Sequence, residues 1–122
     1  MAGNPVVWFE IYVQDMARAK TFYEAVLKVP LQPLPSPGIE MYAFPSERDG
    51  AGASGALAKM PGMSSGGSTL VYFRCDDCGV EAARVAPAGG RIHRDKMSIG
   101  EHGFIALAVD TEGNMFGLHS MK

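Results

Sequence analysis

The sequence predicts an α+β fold of two βαβββ modules that share one core and form a curved mixed sheet around a central cleft. The first of three observations behind this is an opening stretch that alternates, with Val7, Phe9, Ile11 and Val13 on one face and Trp8, Glu10 and Tyr12 on the other. It runs through Asp15 into residues of helical periodicity. Next, the same passage of strand, Asp and helix returns at Thr69–Cys75 and Asp76-Asp77. Last, a constant offset of 62 lays Asp15 on Asp77, Phe9 on Val71, Ile11 on Phe73, Val13 on Cys75 and Gly55 on Gly117. The first module spans 5–60, a linker 61–67 and the second module 68–122. Neither half is long enough to bury a sheet alone.

In chain order, Asp15 is placed to cap a helix by accepting its free backbone N–H groups. Met16, Ala19, Phe22 or Tyr23, Val26 and Leu27 give that helix an apolar face, with Arg18, Lys20, Glu24 and Lys28 on its solvated side. Pro30 should end it at Val29, because proline disfavours helix in the residue before it. The proline-rich 31–37 reads as a short edge strand breaking into a turn, and Ile39–Phe44 as a strand. Residues 46–52 read as a turn and Gly55–Lys59 as the fourth strand; the linker is rich in Gly, Ser and Met. The second module follows with strand 69–75, helix 80–86, a short strand 91–94 and a loop 97–103. Strand 104–109, a tight turn Asp110–Asn114 in which Gly113 and Asn114 tolerate positive φ, and strand 115–121 complete it.

Net charge is −2, from 11 basic and 13 acidic residues, and no basic run stands out, so nucleic acid and anionic membrane surfaces are not expected partners. Apolar runs are far too short to span a bilayer, and the N-terminus lacks the basic flank and apolar core of a signal peptide; a cytoplasmic protein is expected. Cys75 and Cys78 bracket two aspartates, whose charge disfavours a thiolate, and zinc would need two further ligands. Two reduced cysteines at a strand-to-helix junction are expected. His93 has no evident partner and is taken as a surface residue.

The duplicated plan resembles the vicinal oxygen chelate superfamily, which groups glyoxalases, bleomycin resistance proteins and extradiol dioxygenases. The resemblance is carried by Phe9–Asp15 running into Ala19–Tyr23, by the strand into Asp76-Asp77, and by Asp110–Asn114 before the last strand. It is nearest the small glyoxalase-related branch, in which Ile99–Ala106 and Gly117–Ser120 also have counterparts. In metal-dependent members His, Gln or Glu side chains on the first and last strands of each half hold an ion that acts as a Lewis acid. The resemblance carries those positions onto Trp8, Gly55 or Ala56, Leu70 and Gly117. None of these side chains binds a metal, so no cofactor is expected, and Gly55 and Gly117 are taken to widen the cleft.

Glu10 is then the unusual residue of the first strand, a carboxylate between Trp8 and Tyr12 that partial burial would turn towards base-like behaviour. The matching parity supplies Leu70, Tyr72 and Arg74, and the last strand supplies Met115, Gly117 and His119. In the family's cleft, Glu10, His119 and Arg74 would be the catalytic group. Trp8, Tyr12, Leu70, Tyr72, Met115 and Gly117, with Glu101 and His102 from a loop, would contact ligand. A Glu–Arg pair bracing the sheet, with Glu101 and His102 simply solvated, is the alternative. Trp8 and Met60, Met63, Met97, Met115 and Met121 suit a flat or apolar molecule or fill the core. The expectation is a small organic molecule bound in the inter-module cleft of a homodimer. Its rivals are a metal-dependent glyoxalase-type lyase or isomerase with rearranged ligands, using Glu10, His119, Glu101 or His102, and a dimerising module without catalysis.

Overall fold

The structure, a computed structural model, describes residues 3–47, 52–62 and 69–122. Most of the linker, Met63 and the turn around residues 48–51 lie outside the described residues. The chain divides into two units, Trp8–Thr69 and Leu70–Lys122 with residues 3–7. Each carries one helix and four strands, so the α+β class and the two βαβββ plans hold.

In the first unit β1 (Val6–Tyr12) leads through Asp15 into α1 (Met16–Leu27), and β2 (Gln32–Pro33), β3 (Glu40–Ala43) and β4 (Ser54–Lys59) follow. Strand order is β2-β3-β4-β1, with β1 and β4 parallel and the other pairs antiparallel. Asp15 adopts an extended conformation and its Oδ1 accepts the Arg18 backbone N–H at 3.1 Å, which caps α1. The parity of β1 puts Ile11 on the helix side, where Val13, Met16, Leu31 and Leu57 form the core with Ala19, Tyr23, Tyr42 and Phe44 packed on it.

The helix departs from the expectation in two ways. Phe22, Val26 and Leu27 are 58%, 59% and 51% exposed, and Tyr23 turns inward in their place, its ring edge-on to Phe44 at 5.7 Å. The helix also stops two residues early. Lys28, at φ 58°, takes the left-handed conformation and donates its N–H to Glu24 O, so a left-handed cap rather than Pro30 ends it. Glu24 is no passive surface charge: its Oε2 accepts the Leu31 N–H at 2.8 Å and meets Lys20 Nζ at 3.1 Å. The Leu31 bond first, then Lys20, holds its carboxyl below the usual range.

The second unit runs β5 (Thr69–Arg74), α2 (Cys78–Val85), β6 (Arg91–Ser98), a 3-10 turn Gly100–His102, β7 (Phe104–Val109) and β8 (Met115–Ser120). Its order is β5-β8-β7-β6, with β5 and β8 parallel. Cys78, Ala82, Ala106 and Leu118 make the core, flanked by Phe73, Cys75, Ile92, Phe104 and Phe116. The helix starts at Cys78, two residues before its expected start, because Asp77 Oδ1 accepts the Gly79 N–H and the buried Ser120 Oγ accepts the Cys78 N–H at 2.9 Å.

Strand β6 takes in part of the expected loop 97–103. Its register with β7 shifts between Ile92 and Arg94 and again between Arg94 and Met97, which hides the period of two. Its charged residues suit an edge, where His93 is exposed as expected. The turn before β8 forms on Asp110, whose Oδ1 accepts the N–H groups of Glu112 and Asn114 at 2.8 and 2.9 Å. Only Gly113 in it has positive φ, at 88°; Asn114 does not.

Candidate functional site

Trp8, Glu10 and Tyr12 share the side of β1 opposite α1. On β4 their register partners are Ser54, Ala56 and Ala58, and Ala56 and Ala58 are matched on β3 by Ala43 and Met41. Small side chains thus form a low floor beside Glu10, which the residue-by-residue reading had not singled out. The alternation of Ala56 and Ala58 around Leu57 is the signal for it.

Both oxygens of Glu10 are held. Trp8 donates its indole Nε1–H to Oε2 at 3.1 Å, and Tyr12 donates its hydroxyl to Oε1 at 2.5 Å, the short end for a bond to a carboxylate. Tyr12 is 3% exposed, while Trp8 and Glu10 are half-buried. The donors come from two residues before and two residues after the acceptor, a consequence of the strand's period. A separate hollow of about 410 Å³ opens at the C-terminal end of β1, bordered by Val13, Gln14, Glu40, Lys59 and Met60, and Glu10 does not line it.

In the second unit, Leu70, Tyr72 and Arg74 share a side of β5. Tyr72 is in register with Gly117 and Arg74 with His119. Leu70 and Tyr72 are buried, Arg74 is exposed and Met115 is half-buried. His119 Nε2 lies 2.6 Å from the His102 carbonyl oxygen, a contact that assigns the Nε2 proton and leaves Nδ1 as the ring's other polar atom. The side chains of Glu101 and His102 are 88% and 63% exposed, 3.9 Å apart, on the 3-10 turn. Glu10 belongs to one unit, and Tyr72, Arg74 and His119 belong to the other.

Two expectations about glycine need correction. Gly55 is the register partner of Phe9, on the helix side, so it does not share a face with Trp8 and Glu10; Ala56 does. The offset of 62 is one residue too long for the last strand of each unit, and Ala56, opposite Glu10, corresponds to Gly117, opposite Tyr72. Nor does either glycine open space. A Cβ at Gly55 would lie 2.3 Å from the Phe9 ring, and one at Gly117 2.3 Å from the Tyr72 ring. Each glycine exists so that an aromatic ring can lie over the backbone.

These residues do not fit the metal that the family resemblance implies. Trp8 spends its one N–H on Glu10, Ala56 and Leu70 are apolar, and Gly117 lies beneath the Tyr72 ring. Among the described residues no three His, Cys, Asp or Glu side chains gather as a metal site requires. The cysteines are free, Cys78 fully buried. Burial and then the neighbouring Glu81 carboxylate push the Cys75 thiol up to about 11, so it is protonated and unreactive near neutrality.

Residues 6–27 match the family described as bleomycin resistance protein-like N-terminal. Over 113 residues the chain is 26% identical to the candidate glyoxylase CFP32 of Mycobacterium tuberculosis and equally to that of Mycobacterium bovis, covering 93% of this chain and 42% of each relative. It therefore spans less than half the length of these relatives. Methylmalonyl-CoA epimerase of M. tuberculosis superposes with a TM-score of 0.68 at 16% identity, over 97% of this chain and 88% of that one. A single-residue variant of the Streptomyces coelicolor epimerase, solved with 2-nitronate-propionyl-CoA, gives 0.67 at 15% over 96% of both chains. A 4-hydroxymandelate synthase mutant from S. coelicolor gives 0.70 at 15% over 99% of this chain and 39% of that one. No described helix is long and apolar enough to cross a membrane.

Proposed function

Because this chain has the glyoxalase-like fold of the vicinal oxygen chelate superfamily and a bleomycin resistance protein-like N-terminal segment, we propose that it binds a small organic molecule through the face of β1 that bears Trp8, Glu10 and Tyr12. The observation that carries this is the doubly held Glu10 carboxylate. A half-buried acid whose two oxygens are oriented by aromatic N–H and O–H donors is prepared for a partner, and the ordering cost of binding is already met. Trp8 supplies a flat apolar surface beside it. In the second unit Arg74 and His119 are adjacent in register and form a polar pair of that unit's own. Two copies of the chain pair in this reading, and α1 offers Phe22 and Val26, exposed one turn apart, for that contact.

The test is a thermal-shift screen of small aromatic and heteroaromatic molecules, followed by titration of hits against Glu10→Gln and Trp8→Ala. Both variants should weaken binding about tenfold or more, the scale of a lost charged hydrogen bond or a lost aromatic contact. Hits whose affinity ignores both substitutions would remove this face from consideration.

A further inference from the structure

Resting on the reading of this face as a ligand site, we infer that the group it receives at Glu10 is a planar, fork-shaped cation, a guanidinium or amidinium. A carboxylate offers roughly four acceptor positions, two on each oxygen. Trp8 takes one on Oε2 and Tyr12 takes one on Oε1, approaching from opposite directions along the strand. One position remains on each oxygen. Two parallel N–H groups on one rigid plane are the complement of that arrangement, whereas an ammonium, a point charge, uses it less fully.

Charge points the same way. Trp8 and Tyr12, which donate to Glu10, are neutral, and none of the ion pairs Lys20–Glu24, Lys96–Asp77 and His102–Glu101 includes it. A half-buried carboxylate without a cation attracts one more strongly than a fully solvated acid does. On the β4 and β3 side the neighbours of Glu10 are Ala56 and Ala43, whose side chains are too short to reach the carboxylate. The Trp8 ring beside it gives a surface on which a guanidinium plane or an aryl group can stack.

The chain's single tryptophan is the reporter, since the indole N–H of Trp8 binds the same carboxylate. Indole emission of the full chain is titrated with benzamidine, with benzamide as its neutral isostere and with benzylamine as a point-charge cation. Benzamidine should give a saturable change, benzamide should bind about tenfold or more weakly, and benzylamine should fall between. Glu10→Gln, with its fold checked by circular dichroism, should abolish the preference for benzamidine. The comparison of the three probes on the unaltered chain stands even if that variant fails to fold. Equal binding of benzamide and benzamidine overturns the cation and leaves the small-molecule site standing. If no probe and no hit from the screen alters Trp8 emission, both readings fall together.

Discussion

Gly117 bears no side chain because the Tyr72 ring lies where one would begin, with Cδ2 2.3 Å and Cγ 2.8 Å from an added Cβ. The ring is pinned close to its own backbone and cannot swing clear cheaply. Gly117→Ala should therefore cost about 1–3 kcal/mol, read as a lower urea midpoint, and Gly55→Ala under Phe9 should behave alike. Unchanged midpoints would mean that the rings are free to move. Cys75 makes a chemical prediction: with its thiol raised to about 11, it should resist iodoacetamide near neutral pH and label only as the solution approaches that value. Glu81→Gln should bring labelling to lower pH, because Glu81 is the second cause of the shift after burial. At this scale the sequence made Trp8, Glu10 and Tyr12 legible as one face, since period two is a local property. It did not reveal which oxygen meets which donor, or that Gly55 faces the helix, because a pairing register is set by a strand more than 40 residues away in sequence.

The helix ends show how capping outweighs simpler punctuation. Pro30 suggested a stop at Val29, but the backbone turns left-handed at Lys28, a conformation that costs a side-chain-bearing residue more than glycine. Lys28→Gly should raise stability by roughly 0.5 kcal/mol, the relieved strain being partly offset by the freer unfolded chain. Asp77, at the start of α2, is lowered first by Lys96 and then by the Gly79 N–H, and Asp110 is lowered by the N–H groups of Asn114 and Glu112. A carboxyl whose folded value is depressed stabilises the fold above its unfolded value, and that contribution is lost as pH falls through the folded one. Urea midpoints should thus drop on acidification below about pH 4, and Asp77→Asn should flatten the profile there. Constancy of the wild-type midpoint across that range would contradict it. The full length of strand β6 escaped the sequence, which marks only 91–94, for a related reason. Two register shifts break its alternation, so Met97 and Ser98 look like loop although pairing with Ile105 and Phe104 of β7 keeps them in the strand.

For the whole molecule, the duplication was the most legible feature, because Asp15 and Asp77 cap equivalent helices that begin 62 residues apart, at Met16 and Cys78. The exposed Phe22 and Val26 were not, since helical spacing marks an apolar face without saying what covers it. Light scattering after size exclusion should give twice the 13.0 kDa of one chain, and Phe22→Glu with Val26→Glu should halve it while leaving the circular dichroism spectrum unchanged. A monomeric wild-type chain would remove the pairing from the proposal. Residues 3–7 group with Leu70–Lys122, and the Pro5 carbonyl accepts the Arg74 N–H at 2.8 Å. On the ribosome the unit Trp8–Thr69 has all its strands before its companion does, while the residues just ahead of it must wait unpaired until Arg74 has left the exit tunnel. Residues 3–7 are thus secured later than the unit that follows them in the chain, and a pause in translation between Thr69 and Arg74 would leave them open to a wrong partner.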